Sequence, residues 1–232
     1  NDFFPNTYYL KMKGYPEMLR AARGFYVYME MIIRSGIVVF LLPLYCFIAG
    51  KDVRFRLVFM VFVVQSAYSI YVGGDAWEMM IHSNRFISVS MPLFLVCLAV
   101  SIEFISKKFL LKPFVKILIY TGVVLSLNIY DGEHSLKRLF LAEHPKLGTE
   151  SEKSVYSAYF INTVAADDAL IGVVRAGAIP YFSSREFHDF LGKNDRRIAR
   201  FPGTLPPEEA SVMEKIKFYY PGHIKSDLDY SI

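Results

Sequence analysis

Apolar residues are concentrated in residues 24–130, whereas residues 131–232 mix apolar and polar positions as a water-exposed domain does. A helix needs about 20 mostly apolar residues to cross a bilayer. Apolar runs predict four such helices, over residues 24–49, 57–72, 86–106 and 117–130. We expect Pro43 to kink the first of them. The predicted fold is a membrane α-helical bundle followed by a small α/β domain.

Basic residues mark two short loops of the predicted bundle, residues 51–56 and residues 107–116. The two loops alternate along the chain and therefore share one side of the membrane, which the positive-inside rule identifies as the cytoplasm. Three regions are then extracytoplasmic: residues 1–23 as a loop and interfacial helix, segment 73–85, and residues 131–232 as the α/β domain. We predict a multi-pass protein of the cytoplasmic membrane.

The α/β domain carries short signals for both kinds of element. Helices are predicted over residues 151–165, 194–200 and 207–218, and strands over residues 169–174, within 175–181, and over 187–192. Asn194 or Asp195 is expected to cap the second of these helices.

Composition adds three limits. The chain is 53% hydrophobic, which is high for a soluble domain. The net charge of +4 is modest and gives no indication of nucleic-acid binding. Cys46 and Cys97 both lie in apolar runs, so we interpret them as core or lipid-facing thiols. The chain opens at Asn1 without an initiator Met, and we expect it to be the C-terminal part of a longer membrane protein.

Segment 73–85 interrupts the apolar sequence with a dense polar set. Asp75, Glu78 and His82 have a spacing that would place them on one helix face. Together they could hold a divalent metal, since carboxylates and imidazole suit Mn²⁺ or Zn²⁺. Alternatively, Arg85 grips a phosphate through its bidentate fork, or the charges only order the loop. Trp77 could stack on a sugar or anchor the interface.

The α/β domain offers further candidates. Arg175 follows a predicted strand, where functional residues often lie, although a surface salt bridge explains it equally well. His223 and Lys225 share one loop with Asp227 and Asp229, for which a solvated tail is the alternative interpretation.

An ordered set of motifs resembles the C-terminal half of GT-C membrane glycosyltransferases. The set comprises Tyr71-Val-Gly-Gly-Asp-Ala-Trp-Glu, Asn84-Arg85-Phe86, Pro5-Asn6-Thr7 to Lys11, Ala176 to Tyr181, Asp189 to Ala199, and Gly222 to Tyr230. It is similar to the bacterial cell-envelope arabinofuranosyltransferases that add terminal arabinose. The interval between Asp75 and Arg85 is longer than in those enzymes, so the donor sugar stays open.

The resemblance implies a transferase that takes a sugar from a polyprenyl-phosphate donor to a glycan acceptor at the outer face of the membrane. Asp75 and Arg85 would bind the donor, with Arg85 on its phosphate. Asn6 and Lys11 from the upstream motif, and Arg175, His223 and Lys225 from the α/β domain, would contribute to substrate binding. The family's catalytic base lies in a first extracytoplasmic loop, which we expect outside this chain.

Two other classes compete with the enzyme. One is a non-catalytic, membrane-anchored subunit that binds glycan or serves as a scaffold. The other is a transporter, which is less favoured because the acidic residues of the predicted spans, Glu30 and Glu103, lie near span ends.

Overall fold

The computed structural model describes residues 3–76, 78, 84–129, 149–174 and 176–231. The helices in chain order are α1 (Asn6–Met12), α2 (Glu17–Arg34), α3 (Ile37–Ala49), α4 (Val53–Tyr71), α5 (Arg85–Ser88), α6 (Met91–Lys108), α7 (Pro113–Ile129), α8 (Thr149–Val164), α9 (Ala178–Phe182), α10 (Arg196–Arg200), α11 (Val212–Phe218) and α12 (Leu228–Ser231). The strands are β1 (Leu170–Val173) and β2 (Glu186–Asp189). The chain divides into two compact units, Asn1–Arg20 with Pro145–Ile232, and Ala21–His144. We call them the α/β unit and the helical unit.

The helical unit is built on an aromatic and aliphatic core in which α3, α4 and α6 pack together. Phe40, Phe62 and Phe94 pack together at its centre, with ring centroids 4.5–6.4 Å apart. Rings at such separations add favourable contacts beyond the area they bury. This core includes Phe59 and Phe62 of α4, the helix that precedes segment 73–85.

The first apolar run does not form one helix. It breaks between α2 and α3, whose axes differ by 102°. Gly36 has φ of 90° at the break, a conformation open to glycine but costly for other residues. The sharp turn of this run lies at Gly36, and α3 continues as a helix through Pro43, where the kink stays a prediction.

The other predicted spans correspond to α4, to α5 with α6, and to α7. Among the described residues, α4 alone is long and apolar enough to cross a membrane by itself, and the bent pair α2–α3 meets the same criterion jointly. The third predicted span is interrupted between Ser88 and Met91. Four membrane crossings therefore stay a prediction.

The α/β unit contains a two-stranded parallel sheet in which Leu170 pairs with Glu186 and Val173 with Asp189. The predicted strand within residues 175–181 is wrong, because α9 forms there. Pro180 accounts for this: it cannot donate a sheet hydrogen bond, but it is tolerated in the first turn of a helix.

Two predicted helices of this unit have the expected location. The prediction over 151–165 matches α8, and Asp195 caps α10 by accepting from the Ile198 amide at 2.8 Å. The prediction over 207–218 begins too early. The α11 helix starts only after Ser211, which forms a capping box with Glu214.

Residues 3–20 pack with the C-terminal part of the chain, which no local pattern predicts. Tyr15 Oη donates to the Lys215 carbonyl at 2.8 Å, and Tyr219 Oη donates to the Lys11 carbonyl at 2.6 Å. Tyr15, Tyr219 and Ile224 form the apolar core of this contact. The N-terminal residues therefore belong to the α/β unit.

Candidate anion site at the end of helix α4

Two consecutive glycines end α4 and start the candidate site. Gly73 and Gly74 have φ of 87° and 79°, in the left-handed region that favours glycine. A Cβ at Gly74 would lie only 2.6 Å from Nη1 of Arg23, so a side chain has no room there. The glycine pair turns the chain sharply and brings Asp75 into the interior.

Asp75 and Arg85 form a bidentate ion pair. Nε of Arg85 donates to Oδ2 of Asp75 at 2.7 Å, and Nη2 donates to Oδ1 at 2.8 Å. The Arg85 backbone amide also donates to Oδ2, at 3.1 Å. The Asp75 side chain is fully buried, whereas that of Arg85 is 60% exposed. The hydrogen bonds that Arg85 donates to Asp75 raise the pKa of the guanidinium, so it stays charged.

A second buried arginine supports the segment from α2. Arg23 donates to the carbonyls of Gly73 and Asp75 and to Oε2 of Glu78, the last at 3.1 Å. These bonds tie α2 to a stretch about 50 residues further along the chain. Because they satisfy both backbone and carboxylate oxygens, they fix the position of the turn.

Glu78 is the centre of the remaining contacts. Its carboxylate accepts from the Asp75 amide at 3.0 Å and from Nδ2 of Asn84, which also donates to Ser69 at 2.8 Å. Burial raises the pKa of Glu78, and the attraction of Arg23 offsets this only in part. Asn84 in turn caps α5 through the amides of Phe86 and Ile87. The network therefore positions Arg85 at the start of α5.

The geometry limits what these groups can do. Both carboxylate oxygens of Asp75 accept from the Arg85 guanidinium, so this residue is poorly placed to take a proton from a substrate. The exposed edge of the Arg85 fork suits an oxyanion such as phosphate. Among the described residues, no three His, Cys, Asp or Glu side chains converge as metal ligands. The carboxylates of Asp75 and Glu78 are bonded to arginine instead.

The other predicted site residues fall into two groups, those outside the described residues and those in the α/β unit. Trp77, His82 and Arg175 lie outside the described residues. Asn6, Lys11, His223 and Lys225 all belong to the α/β unit, whereas Asp75, Glu78 and Arg85 belong to the helical unit.

Lys225 is the most buried of the α/β candidates, with 2% of its surface exposed. Its Nζ donates to the carbonyls of Tyr9 and Ala199, each at 2.8 Å, which joins the ends of α1 and α10. Burial, with a smaller effect from Arg200, lowers its pKa to about 8. These hydrogen bonds indicate a structural role for Lys225, which connects α1 to α10.

The remaining α/β candidates are more accessible. Asn6 donates weakly to the Lys193 carbonyl at 3.3 Å, and the His223 ring lies 4.7 Å from that of Tyr220. The Lys11 carbonyl accepts from Tyr219.

The sequence gives no indication that Arg23 and Ser69 belong to the site. Arg23 falls within the predicted interfacial helix, yet it is buried. The neighbouring Gly24 is the one feature of the sequence that could have indicated the burial of Arg23. A Cβ at Gly24 would lie 2.3 Å from the Ile70 carbonyl oxygen. A glycine beside a basic residue in an otherwise regular helix indicates a close helix–helix approach.

Comparison with known families finds one match, in the α/β unit: a family described as a domain of unknown function (DUF8728) matches residues 147–232. Neither curated proteins nor solved structures give a significant match to the chain.

Proposed function

We propose that this chain is part of a membrane glycosyltransferase that takes a sugar from a polyprenyl-phosphate donor to a cell-envelope glycan. The observation that carries the proposal is the exposed Arg85 guanidinium held by the buried Asp75 carboxylate. An arginine fixed in this way is preorganised for a phosphate and loses little conformational freedom on binding. The class of transferase comes from the sequence resemblance alone.

A location in the membrane is supported by the surface of the helical unit. The α4 helix exposes Val53, Leu57, Val61 and Val64, each at least half exposed. A contiguous apolar surface of this kind is unusual on a water-soluble monomer and suits contact with lipid tails. We propose that the unit lies in the cytoplasmic membrane with segment 73–85 and the α/β unit on its outer side.

The proposed reaction is a displacement at the anomeric carbon of the donor. An acceptor hydroxyl oxygen forms a bond to that carbon, the bond from the carbon to the phosphate oxygen breaks, and polyprenyl phosphate leaves with the electron pair. Arg85 stabilises the negative charge that develops on the leaving group. Asp75 is a positioning residue for Arg85, and the proton of the acceptor hydroxyl goes to a base that we do not assign to segment 73–85.

The test compares sugar transfer by wild-type, Arg85→Ala and Arg85→Lys proteins in membranes. We expect loss of turnover in Arg85→Ala, and a reduced rate in Arg85→Lys because lysine retains the charge but not the fork. Arg54→Ala is the matched control, since Arg54 is an exposed arginine of a predicted cytoplasmic loop. Unchanged turnover in an inserted Arg85→Ala protein would contradict the proposal.

One observation favours the non-catalytic alternative, a membrane-anchored glycan-binding or scaffold subunit. Arg23, Glu78 and Asn84 bond to one another and to the backbone, as in a network that only orders a turn. Under this alternative, the wild-type protein binds glycan without transferring sugar from any donor, and Arg85→Ala leaves glycan binding unchanged.

A further inference from the structure

An open cleft of about 460 Å³ lies on the α/β unit, and none of its lining residues belongs to segment 73–85. Its lining consists of Asp195, Arg196, Arg197, Arg200 and Tyr230. Three of these five residues are arginines, and all three come from the short helix α10. The cleft falls entirely within the region that matches the domain family.

Arg197 is held at the cleft by a buried carboxylate. Its Nε donates to Oδ2 of Asp227 at 3.0 Å, and its guanidinium lies 4.2 Å from the centre of the Tyr230 ring. The Asp227 side chain is 5% exposed and that of Arg197 59% exposed. This arrangement repeats that of Asp75 and Arg85, in which a buried aspartate presents an arginine fork to solvent.

Arg200 is also fixed in orientation. Its Nη1 donates to the Arg196 carbonyl at 3.0 Å, and its guanidinium stacks on the Tyr9 ring at 4.1 Å. Its positive charge contributes to the lowered pKa of the neighbouring Lys225.

Asp195, the one acidic residue of the lining, is occupied on both carboxylate oxygens. Oδ1 accepts from the Ile198 amide at 2.8 Å, and Oδ2 accepts from Tyr230 Oη at 3.1 Å. Its charge is thus directed at the helix cap and the tyrosine hydroxyl. With Asp227 counted as the partner of Arg197, three guanidinium groups still outnumber two carboxylates at this cleft.

We propose that this cleft is a second anion site, which binds an oxyanion of the phosphate class. Arginine forks match the paired oxygens of phosphate. The remaining excess of positive charge attracts a doubly charged anion more strongly than a singly charged carboxylate. The inference rests on the cleft alone and does not depend on the transferase proposal.

The test is isothermal titration calorimetry of the full chain in detergent, with inorganic pyrophosphate, inorganic phosphate and acetate at equal ionic strength. We expect pyrophosphate and phosphate to bind wild-type protein at least tenfold more tightly than acetate. No binding of pyrophosphate, or equal affinity for acetate, would overturn the proposal.

Variants locate the site. The double variant Arg197→Gln/Asp227→Asn removes the ion pair as a whole and leaves no buried charge unpaired, so we expect it to fold and to bind pyrophosphate at least tenfold more weakly. Arg196→Gln, at an exposed position, should weaken binding severalfold. Arg54→Gln is the matched control and should bind as wild type. If Arg85→Gln weakens binding while both cleft variants retain wild-type affinity, the ion binds at segment 73–85 and the proposal is wrong.

Discussion

Removing either partner of the Asp75–Arg85 pair should have unequal consequences for stability. Arg85→Ala leaves a carboxylate that is fully buried, whereas Asp75→Asn leaves a guanidinium that already contacts solvent. An ionised group that loses its charged partner is costly mainly where water cannot reach it. We therefore expect Arg85→Ala to be the more destabilising variant.

The magnitudes follow from the contacts. Loss of one partner of a buried ion pair costs about 3–5 kcal/mol, and because Arg85 is more than half exposed we expect about 3 kcal/mol for Arg85→Ala. Asp75→Asn weakens hydrogen bonds to a charged group, at a cost of about 2 kcal/mol. The double variant Asp75→Asn/Arg85→Gln removes both charges and should cost at least about 1 kcal/mol less than the sum of its single variants.

Trp77 provides a local reporter, because it is the chain's only tryptophan and follows Asp75 by two positions. Its fluorescence can be monitored during denaturant unfolding in detergent, for the wild type, both single variants and the double variant. Far-ultraviolet circular dichroism on the same samples reports the helices as a whole.

Two results would refute the reasoning. If Asp75→Asn is more destabilising than Arg85→Ala, the buried Asp75 carboxylate does not need the Arg85 guanidinium more than the guanidinium needs the carboxylate. If the effects of the single variants add in the double variant, the two side chains do not interact in the folded protein.

Three other changes test the packing around both units. Gly24→Ala should lower the free energy of unfolding by about 2 kcal/mol, because the new Cβ would lie 2.3 Å from the Ile70 carbonyl oxygen. The control Gly122→Ala, where nothing lies within 4 Å, should leave stability unchanged or raised. Equal effects of the two changes would contradict the close approach of Gly24 to Ile70. Asn84→Ala should cost about 2 kcal/mol, because it removes both the cap of α5 and the amide that donates to Glu78; an unchanged unfolding midpoint would show that neither bond matters. Lys225 has a pKa of about 8 in the folded protein, below its ordinary 10.5. The charged ammonium therefore destabilises the folded state at low pH. This destabilisation is lost as the pH rises from 8 to 10.5, because the folded protein releases the proton before the unfolded chain does. The stability of wild type relative to Lys225→Met should therefore increase by about 3 kcal/mol over that range, and a difference that is independent of pH would refute the buried ammonium.

The apolar helices and several local signals could be predicted from the sequence. The pattern that predicts a span over residues 57–72 corresponds to α4, and Asp195 caps α10 as its side chain allows. Such features depend on residues within a few positions of one another. The break at Gly36 could not be predicted in this way. Both Gly36 and Pro43 could interrupt the apolar run over residues 24–49, and tertiary packing decides that the chain turns at Gly36 while the helix continues through Pro43.

The pairing within the candidate site was not predictable. Asp75 and Arg85 are ten positions apart, which is no helical spacing, and Arg23 reaches the segment from about 50 residues away. Sequence reasoning identified the segment and its charged residues but not which charges face each other. Likewise, the hydrogen bonds from Lys225 to the carbonyls of Tyr9 and Ala199 depend on tertiary contacts between residues that are distant in the sequence.

The most direct test of the central claim is the transfer of radiolabelled sugar from a panel of polyprenyl-phosphate donors. Membranes that carry the complete protein would be compared as wild type, Asp75→Asn and Arg85→Ala, with insertion and folding checked in each. We expect transfer by wild type from at least one donor, a reduced rate in Asp75→Asn because Arg85 is less well held, and loss of transfer in Arg85→Ala. Absence of transfer by inserted and folded wild-type protein from every donor would contradict the proposed transferase activity and favour the scaffold alternative.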